Sequence, residues 1–263
     1  MSSPSSPEIH DVGEGRLLLT GAPLRVLQWL DAELESLART HGAAMMRVPT
    51  LIPRDTLDRA GYFEAFGDAA TPVGPGDPPP YLLTPAICYH AYPTLAGRRL
   101  EANAIFGCAG RCFRRETAQA RSLSRLWEFT MREVIFVGTH AWVEDERRRW
   151  MTLAADFAST LGLAGRMEPA SDPFFAGGRG QQMIQQLKEL KHELRMRVGT
   201  EDEIEAVASF NLHETFFGRR FGITTADGGP AWSGCVAFGL ERWLLAVVAQ
   251  GQLDHVEALA GAR

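Results

Sequence analysis

Residues 102–138, ANAIFGCAGRCFRRETAQARSLSRLWEFTMREVIFVG, decide how this chain is read. Three runs within them read as strands: ANAIFGC at 102–108, CFRRE at 112–116 and LWEFTMREVIFVG at 126–138. The polar stretch TAQARSLSR between the last two predicts an antiparallel hairpin. Side chains at i and i+2 share a face of a strand, so Arg114 and Glu116 project together, as do Phe129, Met131 and Glu133 on the partner. That surface combines an arginine, two carboxylates and an aromatic ring. An arginine fork matches phosphate oxygens and a ring stacks on a base, which suits an anionic, planar ligand. Ordinary cross-strand ion pairs and packing would give the same pattern, so both readings stand on these residues alone.

Toward the C-terminus, SGCVAFGLERWLLAVVAQ (233–250) reads as a strand running into a buried helix, with Gly239-Leu240-Glu241-Arg242 at the junction. Toward the N-terminus, Leu24, Leu27, Leu30, Leu34 and Leu37 recur at helical spacing from Pro23, with Asp31, Glu33, Glu35 and Arg39 off the stripe. Pro23 suits the first turn and Gly42 the stop. The segment AAMMRVPTLIP (43–53) reads as a strand that leaves its sheet at a proline. PVGPGDPPP (72–80) reads as a surface loop. A helix is expected over about 143–161, with Trp150, Leu153, Ala154, Phe157 and Leu161 on one face.

After ASDPFFAGGRG (170–180), a helix at about 180–190 should lead into strand-like ELRMRV (193–198) and EAVASFNLHETFFGRRFGI (205–223). TTADGGPAW (224–232) supplies a turn. Clustered antiparallel strands with helices between them predict an α+β domain, an antiparallel β-sheet flanked by helices. Residues 1–22 are expected to be a flexible N-terminal segment, since four serines and two prolines fall in the first seven positions. Residues 23–263 then form the domain.

The chain has 263 residues, 45% hydrophobic and 22% charged, which excludes disordered, collagen-like and coiled-coil classes. Its 27 Lys plus Arg against 32 Asp plus Glu give a net charge of −5, without the basic excess of a large nucleic-acid footprint. There is no membrane-spanning apolar run, and the opening MSSPSSPEIHDVGEGR lacks a secretory pattern, so a cytoplasmic protein is expected. The four cysteines, Cys88, Cys108, Cys112 and Cys235, are too few for a disulfide scaffold. Metal ligation, catalysis and burial stay open for each, although Cys108 and Cys112, four apart near a strand, fit packing thiols.

The run Phe113-Arg114-Arg115-Glu116, the polar loop, Arg125 followed at four-residue intervals by Phe129 and Glu133, and the terminal Gly239-Leu240-Glu241-Arg242 resemble motifs 2 and 3 of class II aminoacyl-tRNA synthetases. GAAMMRVPTL (42–51), with Pro49, is similar to their motif 1, which forms the dimer interface in that class. Cys88 in LTPAICYHAY, Glu133, ASDPFF (170–175), SFNLHETFFG (209–218) and Cys235 narrow the resemblance. They look like the atypical zinc-dependent seryl-tRNA synthetases and their shorter relatives, the amino acid:carrier-protein ligases. The resemblance covers roughly residues 23–250.

It implies a class II synthetase-like catalytic domain with zinc on Cys88, Glu133 and Cys235, although spacing alone would have paired Cys108 with Cys112. Three protein ligands leave one tetrahedral position open, which in this family takes the substrate's amino group. It further implies Arg114 on the α-phosphate, Glu116 on the adenine amino group and Phe129 stacked on adenine. Arg125 becomes a further phosphate contact and Arg242 the clamp on the γ-phosphate, with Arg114 and Arg242 as the catalytic pair. Glu205, Ser209 and Asn211 fall where the class holds Mg²⁺ and the ATP phosphates. His213 stays outside this set, because a lone histidine beside a strand reads as structural and adenylate formation needs no protein base.

The acceptor is read from charge and length. Only about 22 residues precede the motif 1 helix, which leaves no expected room for a tRNA-binding arm. Arg179, Lys188, Lys191, Arg195 and Arg197 against Glu189 and Glu193 give residues 179–197 a net +3. This run coincides with a helical insertion at about 176–192, where the ligase family docks its carrier, so Lys188 and Lys191 are the expected docking contacts. A solvated helix face followed by an exposed strand would carry the same charges.

The expected activity is ATP-dependent activation of a small amino acid, glycine or alanine, and its transfer to the phosphopantetheine thiol of a carrier protein. The expected enzyme is a homodimer that does not use tRNA. A minimal seryl-tRNA synthetase-like enzyme and a catalytically silent regulatory paralogue are the alternatives.

Overall fold

A computed structural model describes residues 8–115, 122–170 and 189–262. In chain order its strands are β1 (Ile9–Asp11), β2 (Leu17–Leu19), β3 (Ala44–Arg47), β4 (Leu51–Pro53), β5 (Pro72–Val73), β6 (Tyr81–Leu83), β7 (Ala104–Phe113), β8 (Glu128–Gly138), β9 (Gly165–Pro169), β10 (Lys191–Arg197), β11 (Ile204–Glu214) and β12 (Trp232–Gly239). Its helices are α1 (Gly21–Thr40), α2 (Arg54–Arg59), α3 (Tyr62–Phe66), α4 (Ala91–Thr94), α5 (His140–Thr160), α6 (Phe216–Phe221), α7 (Leu240–Ala249) and α8 (Leu253–Gly261).

The runs expected at 102–108 and 112–116 form one strand, β7, which pairs with β8 from Ala104↔Val137 to Phe113↔Glu128. Gly107 and Gly110 do not interrupt it. They mark close approaches instead, since a Cβ would stand 2.7 Å from Met45 Sδ at Gly107 and 3.2 Å from Ile87 Cγ2 at Gly110. Arg114 therefore lies one residue beyond the strand, with its N–H donating to Trp127 O at 2.9 Å.

The large sheet runs β3-β7-β8-β12-β11-β10-β9 and is antiparallel except at its edge, where β3 lies parallel to β7. The chain leaves this sheet after β3 and enters a three-stranded sheet, β4-β6-β5. The loop expected at 72–80 lends Pro72 and Val73 to the edge of that sheet, a position where a proline's missing N–H costs no ladder bond.

Alternation along β8 divides the molecule. Val134 and Phe136 face one core with Trp150, Phe210, Phe238 and Trp243 from the flanking strands and helices. Each such buried side chain contributes roughly 1.5–3 kcal/mol, so this helical layer anchors the sheet. Ile135 and Val137 face the other side, where Cys108, Cys112 and Cys235 pack against Tyr92, Phe217 and Phe221. Glu133 shares that second face.

Further expectations shift. Residues 9–19, expected to be flexible, form the β1/β2 hairpin, and Leu19 packs against the helical core. The buried line of α1 is Ala22, Val26, Leu30, Leu34 and Ala38, so the stripe is rotated and Leu24 is 36% exposed. Small residues at 22 and 38 let the helix lie close to its neighbours, and the flanking Leu27 and Leu37 pack from either side. The expected strand over 205–223 stops at Glu214, whose φ of 51° breaks it. Phe217 and Phe221, four apart, then bury one face of α6. The helical insertion at 176–192 cannot reach its expected end, because Lys191 and His192 lie on β10; residues 171–188 fall outside the described residues. Helix α5 begins three residues before its expected start and buries Trp150 and Ala154 as the spacing predicts.

Arg132, on the helical side of β8, is buried and donates to Asp31 Oδ1 at 2.6 Å and Glu35 Oε2 at 3.0 Å on α1. The two acidic residues read as solvent-facing in the sequence are the anchor of that helix.

Candidate active site

Three elements converge on the second face of the sheet. Cys88 comes from a turn before α4, Glu133 from β8 and Cys235 from β12, and one ligand atom of each lies within 4.8 Å of the other two. All three are buried, with 7%, 1% and 2% of their surface exposed. The absent side chain at Gly110 makes room for Ile87, so the turn carrying Cys88 lies against the sheet. The N–H of Ile87 donates to Glu133 Oε1 at 3.1 Å. Asn211 Nδ2 donates to Cys235 Sγ at 3.4 Å, and His213 Nε2 stands 3.8 Å from the same sulfur.

Burial, with Cys235 close by, pushes the Glu133 carboxyl up to about 8. The hydrogen bond between the two thiols raises Cys88, with burial adding to it, and lowers Cys235. Three crowded acidic groups out of water cost free energy unless protons or a cation neutralise them. Two sulfurs and a carboxylate oxygen fit a borderline-soft divalent ion such as zinc, and three protein ligands leave a coordination position for substrate.

Among the described residues this is the set able to hold a metal. Cys108 and Cys112 are fully buried on β7, on the same sheet face, and burial raises both thiols above their usual range. Proximity in sequence pointed to that pair; proximity in space belongs to the triad that the family resemblance named.

The triad opens into a cavity of about 650 Å³. On one wall Arg114 donates from Nε to Pro85 O at 2.8 Å, and its guanidinium lies 5.3 Å from the centre of the Phe129 ring, a cation–π stack. Across the cavity, Arg242 at the start of α7 donates to Ser124 O at 2.7 Å and Ala206 O at 2.8 Å. Glu205 sits between two arginines, with Oε1 3.1 Å from Arg125 Nε and Oε2 4.0 Å from Arg242 Nη2. Ser209 and Asn211 line the floor from β11, and Asn211 Nδ2 also donates to Ser209 Oγ at 3.2 Å. Asn211 Oδ1 is buried with no hydrogen-bond partner. Glu116 and Lys188 lie outside the described residues.

Lys191, expected on a docking surface, lines this same cavity, 19% exposed, with Nζ 2.7 Å from Glu193 Oε1. The pleat of β10 explains it. Lys191 and Glu193 pair across the ladder with Asn211 and Ser209, so they share the cavity side with Arg195. The alternation K-H-E-L-R carried that signal, masked by reading the charges as one run.

Glu241 is a cavity residue given no role beforehand. It is buried at the cavity wall, where it accepts from Thr130 N at 2.8 Å and Thr130 Oγ1 at 2.9 Å, and burial raises its pKa. Six cationic and four acidic side chains among the described lining give the cavity a positive excess in a chain of net −5.

Class II aminoacyl-tRNA synthetases have this architecture. The seryl-tRNA synthetase of M. kandleri, solved in complex with A. aeolicus tRNASec, superposes with a TM-score of 0.82 at 21% identity, over 96% of this chain and 59% of its own. The fold is that of the class II synthetase catalytic domain. No family model matches the chain. Amino acid–acyl-carrier-protein ligase 1 of Bradyrhizobium diazoefficiens is 36% identical over 239 residues, 80% of this chain and 72% of that protein. The chain belongs to the amino acid–acyl-carrier-protein ligase family and is a ligase. A type-2 serine–tRNA ligase of Methanocaldococcus jannaschii is 31% identical over 180 residues, 65% of this chain and 34% of that protein.

Proposed function

We propose that this protein activates a small amino acid, glycine or alanine, with ATP and transfers it to the phosphopantetheine thiol of a carrier protein. The observation that carries the reading is the joining, in one cavity, of the Cys88–Glu133–Cys235 triad with Arg114, Phe129 and Arg242.

Zinc held by the triad would supply a Lewis-acidic position for the substrate's amino group and keep that amine from acting as a nucleophile. Asn211 Oδ1, the buried acceptor without a partner, is available to the same amino group. Phe129 would stack on the adenine, and Arg114, already over that ring, would meet the α-phosphate. Arg125 and Arg242 would bind the outer phosphates, with Glu205 and Ser209 offering oxygen ligands to Mg²⁺.

In the first step a carboxylate oxygen of the amino acid attacks the α-phosphorus. The bond to the β-phosphate oxygen breaks and pyrophosphate leaves with the electron pair. Arg114 stabilises the charge that grows on the α-phosphate oxygens. In the second step the carrier's sulfur attacks the acyl carbon, the thiol proton passes to solvent, and the bond to the phosphate oxygen breaks to release AMP. The reading includes a cytoplasmic homodimer through α1 and the edge strand β3. It also keeps Lys188 as a docking contact for the carrier and gives no place to tRNA.

Amino-acid-dependent ATP–pyrophosphate exchange with a panel of amino acids, before and after zinc removal, tests the first half. Loading of a phosphopantetheinylated carrier against loading of total tRNA tests the second. Exchange with glycine or alanine, lost on chelation, with thioester formed on the carrier, is the expected result. No exchange with any amino acid, or charging of tRNA alone, overturns the reading.

A further inference from the structure

His213, 1% exposed on β11, stands directly behind the metal-binding triad and takes no part in the chemistry above. Its Nδ1 lies 3.2 Å from both Tyr92 Oη and Ser233 Oγ, and its Nε2 points to Cys235 Sγ at 3.8 Å. Tyr92 and Ser233 are themselves fully buried. A thiolate bound to a cation offers only lone pairs, so the ring must present an N–H to it. That proton sits on Nε2 and leaves Nδ1 to accept from a hydroxyl, which both Tyr92 and Ser233 can supply.

We propose that His213 is a positioning residue for the metal-ligating sulfur: oriented by Tyr92 and Ser233, it joins Asn211 in a two-donor cradle around Cys235 Sγ. The inference rests on the triad holding a divalent cation. Two thiolates and one carboxylate bring three negative charges against two positive, so the loaded site keeps one negative charge in a buried place. Donors aimed at the sulfur offset it, as the outer partners of metal ligands generally do. A plain packing role is the competing account, because His213 also meets the Phe217 ring edge-on at 4.9 Å.

His213→Phe keeps a ring and removes the donor, whereas His213→Gln keeps a donor and removes the ring. Zinc affinity is read by competition with a chromophoric chelator, and the cobalt-loaded proteins by their sulfur-to-cobalt charge-transfer band. The proposal expects His213→Phe to bind zinc about 10–100-fold more weakly, with the band moved to lower energy as the sulfur loses a donor. His213→Gln should recover part of both.

Wild-type affinity and an unshifted band in His213→Phe would overturn the proposal while leaving the metal reading intact. A wild-type protein that takes up neither zinc nor cobalt overturns the metal reading, and this proposal with it. If His213→Phe fails to fold, Tyr92→Phe combined with Ser233→Ala decides. Weakened zinc binding supports the relay, and unchanged binding and band overturn it.

Discussion

Glu205 sets the charge balance on the arginine side of the cavity. Its two oxygens face Arg125 and Arg242, so neither guanidinium waits as an uncompensated charge beside a floor already lined by Ser209 and Asn211. Among the described residues Arg114 has no acidic partner at comparable range, and it donates from Nε to Pro85 O and lies over the Phe129 face. As the proposed α-phosphate contact, it would be available to charge developing on a phosphate. Arg114→Ala should lower the exchange rate by roughly 10²–10³ with the fold intact, the cost of removing one transition-state donor. Steady-state exchange beside circular dichroism checks it, and a loss under threefold would remove Arg114 from the chemistry.

Glu241 gives a pH prediction at the same scale. Burial raises its pKa above the ordinary 4.5, so the folded state binds a proton that the unfolded state has already released. Stability from this group is therefore present below about pH 4.5 and falls as pH rises from there through the raised folded value. Glu241→Gln should flatten that fall. Urea unfolding at several pH values, with and without the substitution, should give a smaller slope for the variant above pH 4.5, and equal slopes would contradict it.

The anchoring of α1 to β8 is a matter of one buried cation and two partly exposed anions. Removing the anions strands Arg132 in the core, whereas removing Arg132 leaves Asp31 and Glu35 able to meet water. Asp31→Asn with Glu35→Gln should thus cost roughly 3–5 kcal/mol, and Arg132→Met much less, an asymmetry that denaturant titration reads directly.

Elements are also where the sequence was most and least legible. The β7–β8 hairpin followed from strand-like runs on either side of a polar loop, although β7 was read as two strands, and the β12–α7 junction from the apolar run around Gly239. The rotated stripe of α1 did not, because the leucine spacing pointed away from the buried Ala22, Val26 and Ala38. Lys191 was misplaced for a related reason: charge was counted along the chain, while the pleat of β10 distributes it by alternate residues. Phe129 and Glu133 were legible as one face of a strand. Their partner Cys88 was not legible from spacing, only from the family resemblance, because it arrives from a turn 45 positions before Glu133 whose approach depends on a missing side chain at Gly110.

At the scale of the molecule, a chain of net −5 encloses a cavity whose described lining carries more cations than anions. Low-dielectric walls concentrate that field, and an anionic substrate feels it beyond contact distance. Raising ionic strength from about 10 mM, with a Debye length of about 30 Å, to about 150 mM, with about 8 Å, should raise the KM for ATP. The KM for a zwitterionic amino acid should scarcely move. Equal shifts for both substrates would show that the cavity's charge excess does not reach the nucleotide.

Asn211 and Cys235 sit straight across from one another on β11 and β12, and Glu133 stands opposite Ala237 on the next strand. A slip of one residue between β8 and β12 would turn Cys235 toward the tryptophans of the helical core and away from Cys88. Only a correctly aligned sheet can assemble two sulfurs and a carboxylate from three distant parts of the chain. If the triad holds zinc as proposed, metal uptake during refolding would act as a proofreading signal: a misaligned chain would be blind to zinc, however compact it had become.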